Sequence, residues 1–188
     1  WIEAPDMQNY MDLAIFFDSF AVAGDKDLLI NLKDDLFNKL HDKDVFMAYF
    51  AKATLTFDTP NTIANFMTKS HNIDIKKAAV FPIVQGIRSL ALREKIRETT
   101  TVKRIKILEE KKVLEKSKAA ELLEAFDVVN TLRLKAQLDD IQDGKIINNE
   151  IDTHSLGKIE RDLLKDSFKI VIEFKKFINY TFRIDKIS

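Results

Sequence analysis

The sequence predicts an all-α protein, an antiparallel bundle of about six to seven helices. Three observations carry this. Only four glycines and three prolines punctuate 188 residues, which leaves long stretches free to stay helical. Apolar residues recur at three- and four-residue spacing through most of the chain. The last such stretch, from Leu156 to Phe182, spans roughly 40 Å as a helix at 1.5 Å per residue and carries enough apolar surface to close a bundle. One sizeable domain over residues 1–188 is expected at this length, and 46% apolar residues supply its core.

Charge and composition narrow the function classes. Thirty Lys and Arg balance thirty Asp and Glu, scattered as on solvated helix faces. The whole-chain charge therefore gives no reason to expect nucleic acid or an acidic membrane as partner. The absence of cysteine excludes disulfides and Cys-ligated zinc. No run of 18 apolar residues is present, so no membrane-spanning helix is expected. The chain opens at Trp1 with no charged-then-apolar leader and reads as a piece of a longer, cytoplasmic protein.

Pro5-Asp6 opens a first helix, about Met7 to Val22, with Leu13, Phe16, Phe17 and Phe20 on its apolar side and Gly24 as its stop. Asp18 falls within that apolar surface, so it is either paired to a core arginine or part of a ligand site. Asp25 caps a second helix, Lys26 to His41, whose Leu28, Leu29, Leu32, Leu36, Phe37 and Leu40 point inward. A third runs from Asp44 to Phe57, with Phe46, Met47, Phe50, Ala51 and Leu55 as core. Asp58 to Thr62 is a loop; Ile63 to Ile75 is ambiguous, with extended segments carrying Phe66, Ile73 and Ile75 against the bundle as one reading.

The stretch from Asp74 to Leu92 is central. From Ala78 onward it is apolar nearly all round, the mark of a helix buried on most sides. Pro82 fits only near the start of such a helix, and Gly86 lets a neighbouring helix come close. Gln85 and Arg88 break the apolar surface on one face, in line with Phe81. A guanidinium there needs a carboxylate, carbonyls or an anionic ligand. Thr99-Thr100-Thr101 offers hydroxyl caps for a helix from Val102 to Lys111. Arg104 lies in its first turn, where the dipole disfavours a cation, so it faces an anion.

Ser117 starts a long helix that Gly144 ends after Asp143. Phe126, Asn130, Arg133 and Gln137 form one stripe on it that turns from apolar to polar. If this helix packs on the central one, both place Gln and Arg in one pocket. Two readings stay open: a buried network in which Asp18 or Asp74 neutralises the arginines, or an anion site. Lys145 to His154 reads as a polar loop, and Ser155 caps the final helix.

Catalytic chemistry is hard to assemble from these residues. His41, His71 and His154 are far apart and none has an i, i+4 partner. No phosphate loop and no nucleophile elbow is present. Asp25-Lys26-Asp27 begins a helical pattern, whereas a two-carboxylate metal site needs alternation along a strand. The chain alone holds no complete catalytic set and needs no cofactor of its own.

Asp74-x-Lys76-x-x-x-x-x-Pro82-Ile83-Val84-x-x-Ile87-Arg88-x-Leu90-Ala91-Leu92 resembles a stretch of the C-terminal nucleotidyltransferase substrate-binding domain of bacterial signalling proteins and, more distantly, of PII-protein uridylyltransferases. Thr99-Thr100-Thr101-x-x-Arg104-Ile105, Ala125-Phe126, Leu132-Arg133-Leu134-x-x-Gln137 and Leu156-x-x-Ile159-Glu160-Arg161-x-Leu163-Leu164-Lys165 are similar to the motifs that follow in the same order. Phe17-Asp18 with Gly24-Asp25 resembles the F-D-x-R-x-x-x-G-D that precedes this domain, except that Phe20 stands where the pattern has arginine.

The resemblance implies that residues 1–57 link from an upstream nucleotidyltransferase domain and residues 58–188 form the substrate-binding bundle. It also implies parent proteins with CBS and cyclic-nucleotide-binding modules. The implied reaction transfers a nucleoside monophosphate from a triphosphate, with Mg²⁺, to an acceptor such as a PII-like regulatory protein. The site residues it points to are Lys76, Gln85, Arg88, Arg104, Arg133 and Gln137, with Lys76 otherwise a solvated lysine. They form a cationic wall suited to phosphate oxygens. The alternative is a helical interaction or homodimerisation module without a ligand, and a third reading is a domain that only completes the catalytic domain's core.

Overall fold

The computed structural model describes residues 2–3, 6–60 and 72–187. Among these are seven α-helices, one of them a buried central helix, beside one two-stranded sheet. The all-α bundle expected from the sequence is the fold observed. Pro5, Phe66 and His71 lie outside the described residues.

Helix α1 (Met7–Phe17) begins at Asp6, whose carboxylate accepts the Asn9 amide at 2.7 Å. It ends well before Val22, and the reason is local. The carbonyls of Phe17 and Ser19 accept from the buried ammonium of Lys33 at 3.0 and 2.6 Å, so they are diverted from helix continuation. Phe20 therefore leaves the apolar side and is 70% exposed, contrary to its expected place.

Asp25 caps α2 (Lys26–Lys39), accepting the Asp27 amide at 2.9 Å. The buried stripe is Lys33, Leu36, Phe37 and Leu40, while Leu28 and Leu32 are exposed. The inward leucines expected in the first half of α2 thus face out, because the helix meets the core only from Lys33 onward. Helix α3 (Asp44–Lys52) buries Phe46, Met47, Phe50 and Ala51 and tightens into a 3₁₀ turn at Ala53–Leu55 rather than running to Phe57.

Strand β1 (Asn72–Asp74) pairs antiparallel with β2 (Glu150–Asp152), setting Ile73 opposite Ile151. Part of the expected polar loop at 145–154 is therefore a strand, pinned by the buried Ile151. The central helix starts as a π-helical turn, Lys76–Val80, and continues as α4 (Phe81–Arg93). Pro82 has no N–H to offer the carbonyl of Ala78 four residues back. The Thr59 hydroxyl donates to that carbonyl instead, at 2.7 Å.

Helix α5 (Thr101–Glu110) is preceded by a carboxylate cap rather than the expected threonine hydroxyl. Glu98 accepts the amides of Thr99 and Thr100 at 2.8 and 3.0 Å. Helix α6 (Lys116–Gln142) stops at Gly144, which sits at φ +66°. Helix α7 (Lys158–Phe182) is begun by Gly157, whose amide donates to Glu160 at 2.8 Å; Ser155 is not its cap.

The longest helices, α6 and α7, pack together, and α4 packs against α3, α5 and α7. A Cβ on Gly86 would stand 2.5 Å from the Phe174 ring, so the close approach of α7 to α4 requires glycine there. No described helix is long and apolar enough to cross a membrane.

Candidate functional site

Three distant stretches converge on one carboxylate. Asp18, at the end of α1, accepts from Arg88 of α4 through both Nε at 2.9 Å and Nη2 at 2.6 Å. Its other oxygen accepts from Arg104 Nη1 of α5, also at 2.6 Å. Arg88 Nη1 donates to Gln85 Oε1 at 2.6 Å, and Gln85 Nε2 donates to the Phe50 carbonyl at 3.0 Å. The chain α3–Gln85–Arg88–Asp18–Arg104 thus ties four helices together. The bonds made by its two arginines are charge-assisted, the stronger kind.

The members differ in exposure. The Arg104 side chain is 1% exposed, whereas those of Arg88 and Asp18 are 16% and 29% exposed. Arg104 stacks over Phe17 with its guanidinium carbon 4.5 Å from the ring centroid, and its Nε donates to the Glu98 carbonyl at 2.5 Å. Its Nη2 is buried and without a partner among the described residues. Burial pushes the Arg104 guanidinium below its usual pKa, and Asp18 pulls the other way.

Lys33 adds a third cation. It is almost fully buried, its ammonium bonded only to carbonyls, and burial followed by the nearby Arg104 charge pushes its pKa down. Glu98 does not rebalance the cluster fully, because its carboxylate is turned to the Thr99 and Thr100 amides and to Lys103. The Thr100 amide leads in holding Glu98 down at about 2, with the Thr99 amide and Lys103 adding to it. Three cations therefore surround the single carboxylate of Asp18. Lys33 was missed in the sequence; its signal is its place in the stripe 33, 36, 37, 40, the buried face of α2.

The other sequence-selected residues lie elsewhere. Arg133 Nε donates to Asn149 Oδ1 at 2.8 Å, and Gln137 Nε2 donates to the Asn148 carbonyl at 3.2 Å, fastening α6 to the segment before β2. Lys76 is exposed on the π-helical turn. Helix α6 packs chiefly on α5, α7 and that turn, while α4 packs on α3, α5 and α7. The six residues are thus divided: Gln85, Arg88 and Arg104 come together round Asp18, and Arg133 and Gln137 come together at the α6–β2 corner.

Gln85, Arg88 and Arg104, which meet at Asp18, lie within a stretch that matches a known family. Residues 44–182 match the model of a family described as "putative nucleotidyltransferase substrate binding domain". The chain belongs to this family. No curated protein and no solved structure matches it. The match begins at Asp44, so α3 to α7 lie inside the substrate-binding domain and α1 and α2 precede it. Asp18 is therefore a residue outside the matched region that holds two arginines inside it.

Proposed function

We propose that this chain is the substrate side of a nucleotidyltransferase, and that the Asp18 cluster positions an anionic substrate, the triphosphate or its acceptor, against an upstream catalytic domain. The observation that carries this reading is the surplus of cations: Lys33, Arg88 and Arg104 against one carboxylate, with one buried guanidinium nitrogen left over. Excess positive charge at low exposure favours an incoming anion, because buried charge is costly unless paired. Arg88, part-exposed, is the group that contacts substrate, while Arg104 and Lys33 act from behind it as positioning residues. Phosphoryl-type transfer asks mainly for such positioning and electrostatic stabilisation. In this reading Mg²⁺ is held by carboxylates of the upstream catalytic domain, and no step here runs through it. The proposed acceptor is a PII-like regulatory protein, on the more distant resemblance of the sequence to PII-protein uridylyltransferases.

The test is calorimetric titration of the chain with ATP, UTP, GTP and CTP, each with Mg²⁺, for the wild type and for Arg88→Gln. Saturable binding that weakens at least tenfold in a still-folded Arg88→Gln supports the reading. Binding that ignores the substitution contradicts it, and no binding of any nucleotide removes the triphosphate and leaves only the acceptor as the anion.

A second reading, a homodimerisation or interaction module, is favoured by apolar side chains exposed at one end of the bundle. Leu134, Leu138 and Ile141 of α6 and Ile159 and Leu163 of α7 are exposed there, where Lys135 and Glu160 join the two helices at 2.5 Å. Sedimentation decides it: a tight dimer indifferent to nucleotide supports the module, and a monomer at micromolar concentration removes it.

A further inference from the structure

A second concentration of cations surrounds a cavity away from Asp18. The cavity, of about 450 Å³, opens where the start of α3, the last turn of α4 and the end of α7 meet; its charged lining is Asp44, Arg93, Arg183 and Lys186. Three cations thus face one carboxylate. Arg93 lies five residues after Arg88, which on a helix is about 140° round and about 7.5 Å along, so the two arginines serve different faces of α4.

Each cation is held differently. The Arg93 guanidinium rests on the Phe182 ring at 4.9 Å, which fixes its plane and leaves only a long contact to Glu94, at 3.4 Å. Arg183 adopts the left-handed conformation, φ +51°, at the end of α7, a position that glycine fills at lower cost. Lys186 follows one 3₁₀ turn later. Among the described residues the side chains of Arg183 and Lys186 form no ion pair. The first turn of α3 also lines the cavity, and its amides have no side-chain cap. Cations just past a helix end do complement the terminal carbonyls. That accounts for the sign of Arg183 and Lys186, but not for arginine where glycine is cheaper, nor for Arg93 arriving from another helix.

We propose that this cavity is an anion site for adjacent phosphates, as in pyrophosphate or the phosphate chain of a nucleotide. Two guanidiniums and an ammonium suit such oxygens because the arginine fork donates two bonds at once. The site stands independently of the Asp18 cluster.

The backbone suggests the test. Arg183→Gly keeps the left-handed turn and removes the cation, so folding is retained while the site is depleted. The full chain is titrated with pyrophosphate without metal, as wild type and as Arg183→Gly with Lys186→Gln. The expected result is saturable binding that the double variant weakens at least tenfold with an equal or higher melting temperature. Absence of saturable binding, or binding untouched by the double variant, overturns the proposal. ATP that displaces pyrophosphate identifies a nucleotide's phosphate chain as the source, and ATP that does not identifies free pyrophosphate; either supports the site.

Discussion

The two corners that use arginine on a helix stripe are built on opposite terms. At the α1–α4–α5 junction, Arg88 and Arg104 share a carboxylate at 2.6 Å and one of them is almost wholly buried. At the α6–β2 corner, half-buried Arg133 has a neutral partner, the Asn149 amide oxygen, at 2.8 Å. The donor is the same and the bond lengths are similar, so what separates the corners is burial and the charge of the acceptor. A cation withdrawn from water must keep its counter-charge, whereas one at the rim can fall back on solvent. The first corner is therefore obligatory to the fold and electrostatically overfilled. The second is an ordinary fastening.

That contrast is open to measurement. The largest effect is expected at Arg104. Replacing it by alanine leaves one Asp18 oxygen and the Glu98 carbonyl without their donor and removes the stack on Phe17, at a cost of about 3–5 kcal/mol in denaturant unfolding. A loss under about 1 kcal/mol would place the two corners in one class.

Glu98 comes next. Glu98→Ala removes the cap on the Thr99 and Thr100 amides and should cost about 1 kcal/mol. Its folded pKa of about 2 lies below the ordinary 4.5. Its contribution is therefore full above pH 4.5 and fades as pH falls from 4.5 towards 2. Melting curves across that window should converge for wild type and Glu98→Ala; a constant gap would contradict the capping role.

The smallest effect is expected at Arg133→Ala, below about 1 kcal/mol, since a single part-exposed hydrogen bond to a neutral amide is lost. A cost comparable to that at Arg104 would break the comparison from the other side.

Much of this was legible in the sequence because it depends on local pattern. The helices, the Gly144 stop, the Asp25 cap and the need for Gly86 follow from spacing and backbone chemistry, whereas the first helix ends at Phe17, well before the expected stop at Gly24. The pairing of Asp18 with core arginines was legible too, since a carboxylate on an apolar face needs a partner. What escaped depended on which surfaces meet. Lys33 reads as a solvated lysine until α2 is seen to touch the core only through its second half, the same fact that exposes Leu28 and Leu32. The β1–β2 pair escaped because three-residue strands carry almost no periodicity and their partners are far apart in sequence. Gln and Arg on two helices suggested one pocket, but the packing of α6 on α5 and α7 is not written in the stripe itself.

The most direct test of the overfilled junction is the unfolding free energy of Asp18→Asn, measured with and without inorganic triphosphate. Asp18 is itself part-exposed, so the variant should lose about 3 kcal/mol, the low end for removing one partner of a buried pair. Triphosphate should then stabilise Asp18→Asn more than the wild type, because the variant lacks the negative charge that offsets the arginines and an anion at part-exposed Arg88 supplies it. A variant as stable as the wild type, or equal stabilisation of both by triphosphate, would contradict the claim that these arginines hold positive charge in excess.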